Sequence, residues 1–355
     1  MGLNKEAIKI GFAYVGIVVG AGFSTGQEVM QFFTPYGLWS YLGVIISGLI
    51  LGFAGRQVAK IGTAFDAQNH ESTLDYLFGG VFSKIIDYLL IFFLFGISVT
   101  MIAGAGSTFE ESFGIPTWLG ALIMVIVIYI TLLMDFNKIV RALGMVTPFL
   151  IILVVIIAVF YLFNGNISFA EVNQTVPEAS IWKGIFYGII YGGLAFAVGF
   201  STIVAIGGDA SKRKISGAGA LFGGVVYTIL LALINFALQS EYTTIKDASI
   251  PTLTLANEIH PWIGLVLSII MLAVMYNTIL GLMYSFAARF TEPYSKNYHV
   301  FIVAMVLVAY ALSFVGFADL INFLYPIMGV IGLVVVIAVL IKYYSRKNQN
   351  KDHIA

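Results

Sequence analysis

The sequence predicts an all-α polytopic membrane protein with about ten transmembrane helices, arranged as a five-plus-five inverted repeat with broken first and sixth helices. Three observations predict this fold: the composition, the spacing of apolar segments, and a motif that recurs half a chain apart. Of the 355 residues, 60% are hydrophobic and 10% are charged, whereas about 25% are charged in an ordinary soluble domain. The lipid bilayer is therefore the expected surrounding of most of the surface.

The composition also argues against several functional classes. The formal net charge is zero, so no basic field attracts nucleic acid. The chain has no cysteine, which removes disulfides, zinc–thiolate sites and thiol catalysis. The sequence contains no intramembrane aspartate pair, no His-Glu-x-x-His and no Gly-x-Ser-x-Gly motif. We therefore expect no enzyme, no cofactor and no metal other than a coupling ion.

A window of about 20 apolar residues locates the spans within a single transmembrane domain, 1–355. The predicted spans are 7–33, 37–61, 82–109, 116–134, 139–163, 181–207, 213–239, 261–288, 298–316 and 319–344. If the amino terminus is cytoplasmic, all but two of the eighteen Lys and Arg residues face the cytoplasm, the exceptions being Lys183 and Lys246. The positive-inside rule thus predicts a multi-pass protein of the inner (plasma) membrane with both termini cytoplasmic.

The first and sixth predicted spans share a motif. Residues 14–25 and 191–202 are identical at six of twelve positions, at an offset of 177 residues. Each half has five spans, an odd number, so the second half enters the membrane in the opposite direction. The repeat halves are approximately 7–163 and 181–344. Inverted repeats with interrupted helices at matching positions are typical of secondary transporters, although chance similarity between apolar helices is the alternative.

The segment from Gly20 to Glu28 is a poor membrane helix, because it combines three glycines with polar side chains. Unwound backbone persists in a bilayer only where it is buried in protein or lines a wet cavity. Half-helices that begin at two breaks would direct free N–H groups toward one volume, which suits a carboxylate, while free carbonyls suit sodium or an ammonium group. A zwitterionic amino acid satisfies both. The alternative is that these glycines only allow close helix packing.

The pattern resembles a known superfamily. Ten spans in two halves, Gly20-Ala21-Gly22 in the first span and Val198-Gly199-Phe200 in the sixth resemble the amino acid–polyamine–organocation superfamily, which has the LeuT-type fold. The string from Gly22 to Glu28 and the short chain are most similar to the YkvI-type permeases. The resemblance implies a secondary active transporter for a small-molecule substrate, most simply an amino acid, that works by alternating access with sodium as the coupling ion.

The resemblance also implies site residues. The substrate-binding residues of the first span would be Gly20, Ala21, Gly22, Phe23, Ser24 and Thr25. Those of the sixth span would be Phe196, Gly199, Phe200 and Ser201. Sodium would bind Gly16 and Val19 together with Asn277 and Thr278 of the eighth span. Phe23 stands where neurotransmitter-type sodium symporters have an asparagine for a second sodium, so we expect no second sodium.

Glu28 is a carboxylate embedded in the apolar first span. An ionisable residue inside a membrane is a functional candidate, here a gate or a proton site. A helix-capping role is the alternative, since a helix amino terminus favours a carboxylate. Two other functions stay open: an amino-acid-sensing receptor subunit of the germinant-receptor type on the same fold, and a proton-coupled or uncoupled carrier. The substrate, the direction of transport and the oligomeric state are not encoded in any pattern that we recognise.

Overall fold

The computed structural model of the chain describes residues 4–67, 69–134 and 147–352, and within these ranges the chain is helical with no strand. The beginning of the predicted fifth span, with Arg141, and the preceding Lys138 lie outside the described residues. The all-α fold class is confirmed. The boundaries of the two repeat halves stay a prediction.

Among the described residues, eight helices are long and apolar enough to cross a membrane. They correspond to the second, third and fifth to tenth predicted spans. Their bounds are Thr34–Phe65, Gly80–Phe113, Thr147–Asn164, Ile181–Gly208, Arg213–Ser240, Pro261–Phe290, Lys296–Ser313 and Phe317–Ser345. The fourth span is the shorter apolar helix Thr117–Leu132. The first span does not form one long helix. Together with the nine helices above, it makes up the ten predicted spans.

The first span is broken, as predicted. It consists of the helix Lys5–Val18, the single turn Ala21–Ser24 and the helix Gln27–Phe32. The first interruption falls at Val19 and Gly20, and the second falls at Thr25 and Gly26. Gly26 has a φ of 81°, a left-handed conformation that a residue with a Cβ rarely adopts. This glycine therefore permits the second interruption.

The sixth span is continuous, which corrects the prediction of a broken sixth helix. It runs as one 28-residue helix, Ile181–Gly208. Its glycines contact the backbone of neighbouring helices: a Cβ on Gly188 would lie 2.2 Å from the Gly43 Cα, and a Cβ on Gly193 would lie 2.2 Å from the Gly329 carbonyl oxygen. The glycines thus let the second and tenth spans pack closely on the sixth span, and no unwinding accompanies them.

Two contacts fix which connections lie on the same side of the bundle. The Glu6 carboxylate accepts a hydrogen bond from the Ser211 N–H at 2.8 Å, and Gly208 packs against the Ala67 backbone. The connections around residues 66–79 and 209–212 therefore lie on the side where the chain begins. We call this the N side, and the sequence predicts it to be cytoplasmic. The opposite side carries the short helix Pro251–Ile259, which precedes the eighth span.

A buried polar cluster holds the connection between the first and second spans on the opposite side. The Asn235 amide donates to Ser40 Oγ at 2.8 Å, and the Gln239 amide donates to the Gly37 carbonyl at 2.8 Å. The Thr34 hydroxyl bonds to Asn235 Oδ1 at 3.1 Å. The seventh span, Arg213–Ser240, therefore anchors the end of the broken first span that lies opposite the N side.

The contact between Gly188 and Gly43 yields a stability prediction. Gly188→Ala places a methyl group against the second-span backbone, so we expect a loss of about 1–3 kcal/mol and a lower thermal unfolding midpoint in detergent. Gly281→Ala is the matched control, because nothing lies within 4 Å of a Cβ at Gly281 in the eighth span. Its midpoint should stay equal or rise, since Ala favours a helix by about 1 kcal/mol over Gly. Equal losses in the two variants would contradict this packing account.

Candidate functional site

The candidate site is the interrupted part of the first span. The Ser24 hydroxyl donates to the Gly20 carbonyl at 2.8 Å, and the Thr25 hydroxyl donates to the Gly22 carbonyl at 2.6 Å. The Gln27 N–H in turn donates to Thr25 Oγ1 at 3.3 Å. In this structure the two predicted hydroxyl residues therefore satisfy backbone carbonyls of the interrupted segment, which a bilayer interior requires.

A helix from the opposite side of the bundle closes over the second interruption. The Thr252 N–H donates to the Thr25 carbonyl at 3.0 Å, and the Thr252 hydroxyl donates to the Ser24 carbonyl at 2.5 Å. Gly26 packs against the same residue, since a Cβ there would lie 3.0 Å from the Thr252 methyl group. The helix Pro251–Ile259 thus acts as a cap on the carbonyl end of the turn Ala21–Ser24.

Glu28 lies on the helix Gln27–Phe32 of the first span, and its side chain extends back toward the first interruption. Its Oε1 lies 2.0 Å from the position that a Gly22 Cβ would occupy, so a side chain at this position would displace the carboxylate. Its Oε2 accepts a hydrogen bond from the Tyr191 hydroxyl at 3.0 Å. The Tyr191 hydroxyl is also 2.5 Å from the Tyr227 hydroxyl of the seventh span. The carboxylate is therefore part of the site and does not face lipid.

A third tyrosine faces the same spot. The Tyr325 hydroxyl of the tenth span lies 3.3 Å from the position of a Gly22 Cβ. Tyr325 is 2% exposed, and its hydroxyl has no hydrogen-bond partner among the described residues. A buried polar group without a partner is costly, which makes this hydroxyl a candidate contact for something that the structure does not contain.

The predicted sixth-span residues face the first span, but without free backbone groups. Phe196 and Phe200 are buried, with ring centroids 5.7 Å apart. A Cβ on Gly199 would lie 2.9 Å from the Tyr14 ring, so Gly199 serves close packing against the first span. Phe23, on the first span, packs its ring 5.4 Å from the Tyr227 ring. The Phe23 ring, on the turn between the two interruptions, thus gives the site one apolar wall.

Ser201 belongs to a polar network on the N side. The Ser201 hydroxyl is 2.7 Å from His70 Nδ1, and His70 Nε2 is 2.7 Å from Asp87 Oδ1. Arg289 pairs with the other Asp87 oxygen and donates to Glu71 at 2.9 Å. Burial, and after it the Arg289 charge, lowers the pKa of His70. A neutral imidazole can donate to Asp87 through one nitrogen and accept from Ser201 through the other.

This network joins the connection after the second span to the third, sixth and eighth spans. The sequence analysis missed His70, Asp87 and the tyrosines Tyr227 and Tyr325. A carboxylate at Asp87 inside the apolar third span was a detectable signal, because a buried charge requires a partner. Nothing in the sequence pairs it with Arg289, since the two residues are distant along the chain.

The predicted sodium ligands lie on two elements that approach each other. The eighth span, Pro261–Phe290, packs against the turn Ala21–Ser24. Asn277 Oδ1 is buried and has no hydrogen-bond partner among the described residues, whereas the Thr278 hydroxyl donates to the Val274 carbonyl at 2.9 Å. Nothing lies within 4 Å of a Cβ at Gly16. An unpaired amide oxygen suits a hard cation, which prefers oxygen ligands.

The Arg289–Asp87 pair yields a second prediction. Arg289→Ala leaves the Asp87 carboxylate, whose side chain is 6% exposed, without its cation. We expect a loss of about 3 kcal/mol in unfolding free energy, as for other broken buried pairs. Lys183→Ala is the control, because Lys183 and its partner Glu178 are 49% and 47% exposed and such surface pairs contribute at most about 1 kcal/mol. Thermal unfolding in detergent compares the variants, and equal midpoints would refute the inference.

Sequence comparison finds relatives over nearly the whole chain. No family model matches the sequence. The uncharacterized membrane protein YkvI of Bacillus subtilis is 26% identical over 346 residues, covering 96% of this chain and 97% of YkvI. The resemblance to YkvI-type proteins seen in the motifs therefore extends to full-length alignment.

Solved structures show the same architecture. Mhp1 in its inward facing conformation gives a TM-score of 0.63 at 14% identity, covering 94% of this chain and 75% of Mhp1. MhsT in complex with L-phenylalanine gives 0.57 at 15% identity, covering 95% of this chain and 98% of MhsT. The manganese transporter of Eremococcus coleocola gives 0.55 at 16% identity, covering 94% of this chain and 78% of that transporter. The chain is therefore similar to YkvI in sequence over nearly its whole length and has the LeuT-type fold.

Proposed function

We propose that the chain is a secondary transporter that carries a small solute, most simply an amino acid, across the inner membrane by alternating access. The interrupted first span in the middle of a LeuT-type bundle is the observation that carries the proposal. Interrupted helices in such bundles place backbone groups where a substrate binds. The proposed orientation has both termini in the cytoplasm, so the N side would be the cytoplasmic side.

An amino acid suits the chemistry of the interruption. The first N–H groups of the turn that begins at Ala21 have no partner within that turn, which supports binding of a substrate carboxylate at Gly20, Ala21 and Gly22. Phe23, Phe196 and Phe200 offer apolar walls for a side chain. The solved MhsT complex contains L-phenylalanine, which supports an apolar amino acid here. The continuous sixth span supplies no second set of free N–H groups, so the first span carries this contact.

Sodium is the proposed coupling ion. The unpaired Asn277 Oδ1 supports a site between the eighth span and the first span. Thr278 adds a hydroxyl, and Gly16 and Val19 add backbone carbonyls near the end of the first helix. Binding there would link the position of the first span to the presence of the ion. A receptor of the germinant type on this fold would bind the same ligands but would not accumulate them.

Uptake into proteoliposomes tests the proposal. We expect a labelled amino-acid mixture to accumulate above equilibrium when an inward sodium gradient is imposed, and to accumulate less when potassium replaces sodium. Protein-free liposomes and liposomes with a collapsed gradient are the controls. Binding of amino acids by folded protein without any accumulation would contradict transport and would favour the receptor.

Substitution of Asn277 tests the sodium site separately. Asn277→Ala removes the unpaired oxygen, so we expect the sodium concentration for half-maximal uptake to rise at least about tenfold, which corresponds to about 1.4 kcal/mol. Ser285→Ala, at an exposed position on the same helix, is the matched control and should leave that concentration unchanged. Unchanged sodium dependence in Asn277→Ala would remove this residue from the proposed site.

A further inference from the structure

Glu28 is a carboxylate whose surroundings contain hydroxyl groups and aromatic rings but no cation. Among the described residues, no Lys, Arg or His forms an ion pair with it. The titratable groups that face it are Tyr191 of the sixth span, Tyr227 of the seventh and Tyr325 of the tenth, and Tyr14 lies beyond Tyr227. A charged carboxylate enclosed in such a place is costly unless a cation or a proton joins it.

The two carboxylate oxygens have different surroundings. Oε2 accepts the Tyr191 hydroxyl at 3.0 Å. Oε1 and the Tyr325 hydroxyl lie 2.0 Å and 3.3 Å from the same point, the position of a Gly22 Cβ. The Glu28 Oε1 atom and the Tyr325 hydroxyl therefore approach each other over the Gly22 Cα, which carries no side chain. The Tyr325 hydroxyl has no partner among the residues that the structure describes, so one more hydrogen bond can form there.

The number of oxygen atoms around Glu28 Oε1 and the Tyr325 hydroxyl favours a proton over a metal ion. Hard metal cations in proteins take about six or more oxygen ligands, and the described side chains supply two oxygens at this point. One proton on Oε1 needs only one acceptor, which the Tyr325 hydroxyl oxygen provides. Glu28 is half-buried, so water can deliver the proton from one side of the membrane.

We propose that Glu28 binds a proton in the transport cycle, on the oxygen that faces Tyr325. The carboxylate takes the proton from water and becomes a neutral acid, which donates its O–H to the Tyr325 oxygen while Tyr191 keeps donating to Oε2. Protonation removes the charge, so the site closes around Glu28 at lower cost. Opening to the other side hydrates the acid, and the proton returns to water there.

This inference rests on the proposed transport function and adds a second coupled ion, at a site separate from Asn277. The hydrogen bond from the protonated acid to Tyr325 ties the first span to the tenth. Pro326, the next residue, lies inside the tenth helix and removes one backbone hydrogen bond there. A bend of the tenth span at this level is therefore less costly than elsewhere along it.

Glu28→Gln tests the proton site, because glutamine keeps the size of the neutral acid and cannot release a proton. In proteoliposomes loaded with an unlabelled amino-acid mixture, we expect this variant to retain exchange with external labelled amino acids. We expect its accumulation under an inward proton gradient to fall at least about tenfold. Glu171→Gln, at an exposed carboxylate in the connection after the fifth span, is the matched control and should behave like the wild type.

Infrared spectroscopy of the purified protein gives a readout that does not depend on transport. At the pH of the uptake assay, the wild type and Glu171→Gln should show a protonated-carboxyl band that Glu28→Gln lacks. Tyr325→Phe breaks no hydrogen bond of the described structure, so its unfolding midpoint should match the wild type. The same variant should shift the carboxyl band and the pH dependence of proton-driven accumulation.

Three results would overturn the inference. Proton-driven accumulation by Glu28→Gln would show that another group carries the proton. Loss of exchange as well as accumulation in folded Glu28→Gln would show that Glu28 holds the substrate. A carboxyl band of unchanged intensity in Glu28→Gln would exclude a proton on Glu28. If the wild type neither exchanges nor accumulates amino acids, the proposed function fails, while the infrared comparison still decides whether Glu28 binds a proton.

Discussion

A bilayer interior offers no water to backbone groups, and this constraint governs the first span. Every N–H and C=O that the interruptions free needs a partner inside the protein. The hydroxyls of Ser24 and Thr25 supply two partners from within the segment, and Thr252 supplies two more from the opposite-side helix Pro251–Ile259. The interrupted segment and that helix are therefore coupled: if the helix moves away, the carbonyls of Ser24 and Thr25 lose partners unless water enters.

The sixth span, in contrast to the first, is continuous and closely packed. Its glycines bring the second and tenth spans into backbone contact, as at Gly188 with Gly43 and at Gly193 with Gly329. Close packing of this kind leaves no room for independent movement of one helix. The second, sixth and tenth spans are therefore joined by direct backbone contacts. The two copies of the repeated motif thus differ, since one lies at an interruption and the other in a packed helix.

The sequence predicted where the helices lie but not which residues face each other across helices. The repeated motif shows the reason. Hydropathy located the spans, and the glycines and polar residues near Gly22 correctly indicated the first break. The same Gly-Phe-Ser-Thr string at Gly199 suggested a second break that is absent. The outcome at each copy depends on what faces it: Gly22 faces the Glu28 carboxylate, whereas Gly199 faces the Tyr14 ring. Such contacts join distant parts of the chain and leave no local pattern. Tyr325 escaped notice for the same reason.

Two sets of hydrogen bonds, which we call ties, join elements on the two sides of the bundle. On the opposite side, Thr252 holds the carbonyl end of the turn Ala21–Ser24. On the N side, His70 holds Ser201 of the sixth span and Asp87 of the third. Alternating access in the proposed cycle requires that one tie stays formed while the other opens. A state that buries Glu28 fully would leave a charge on it with neither a cation nor bulk water. Closure on both sides then favours the neutral acid, and opening either tie favours the hydrated carboxylate.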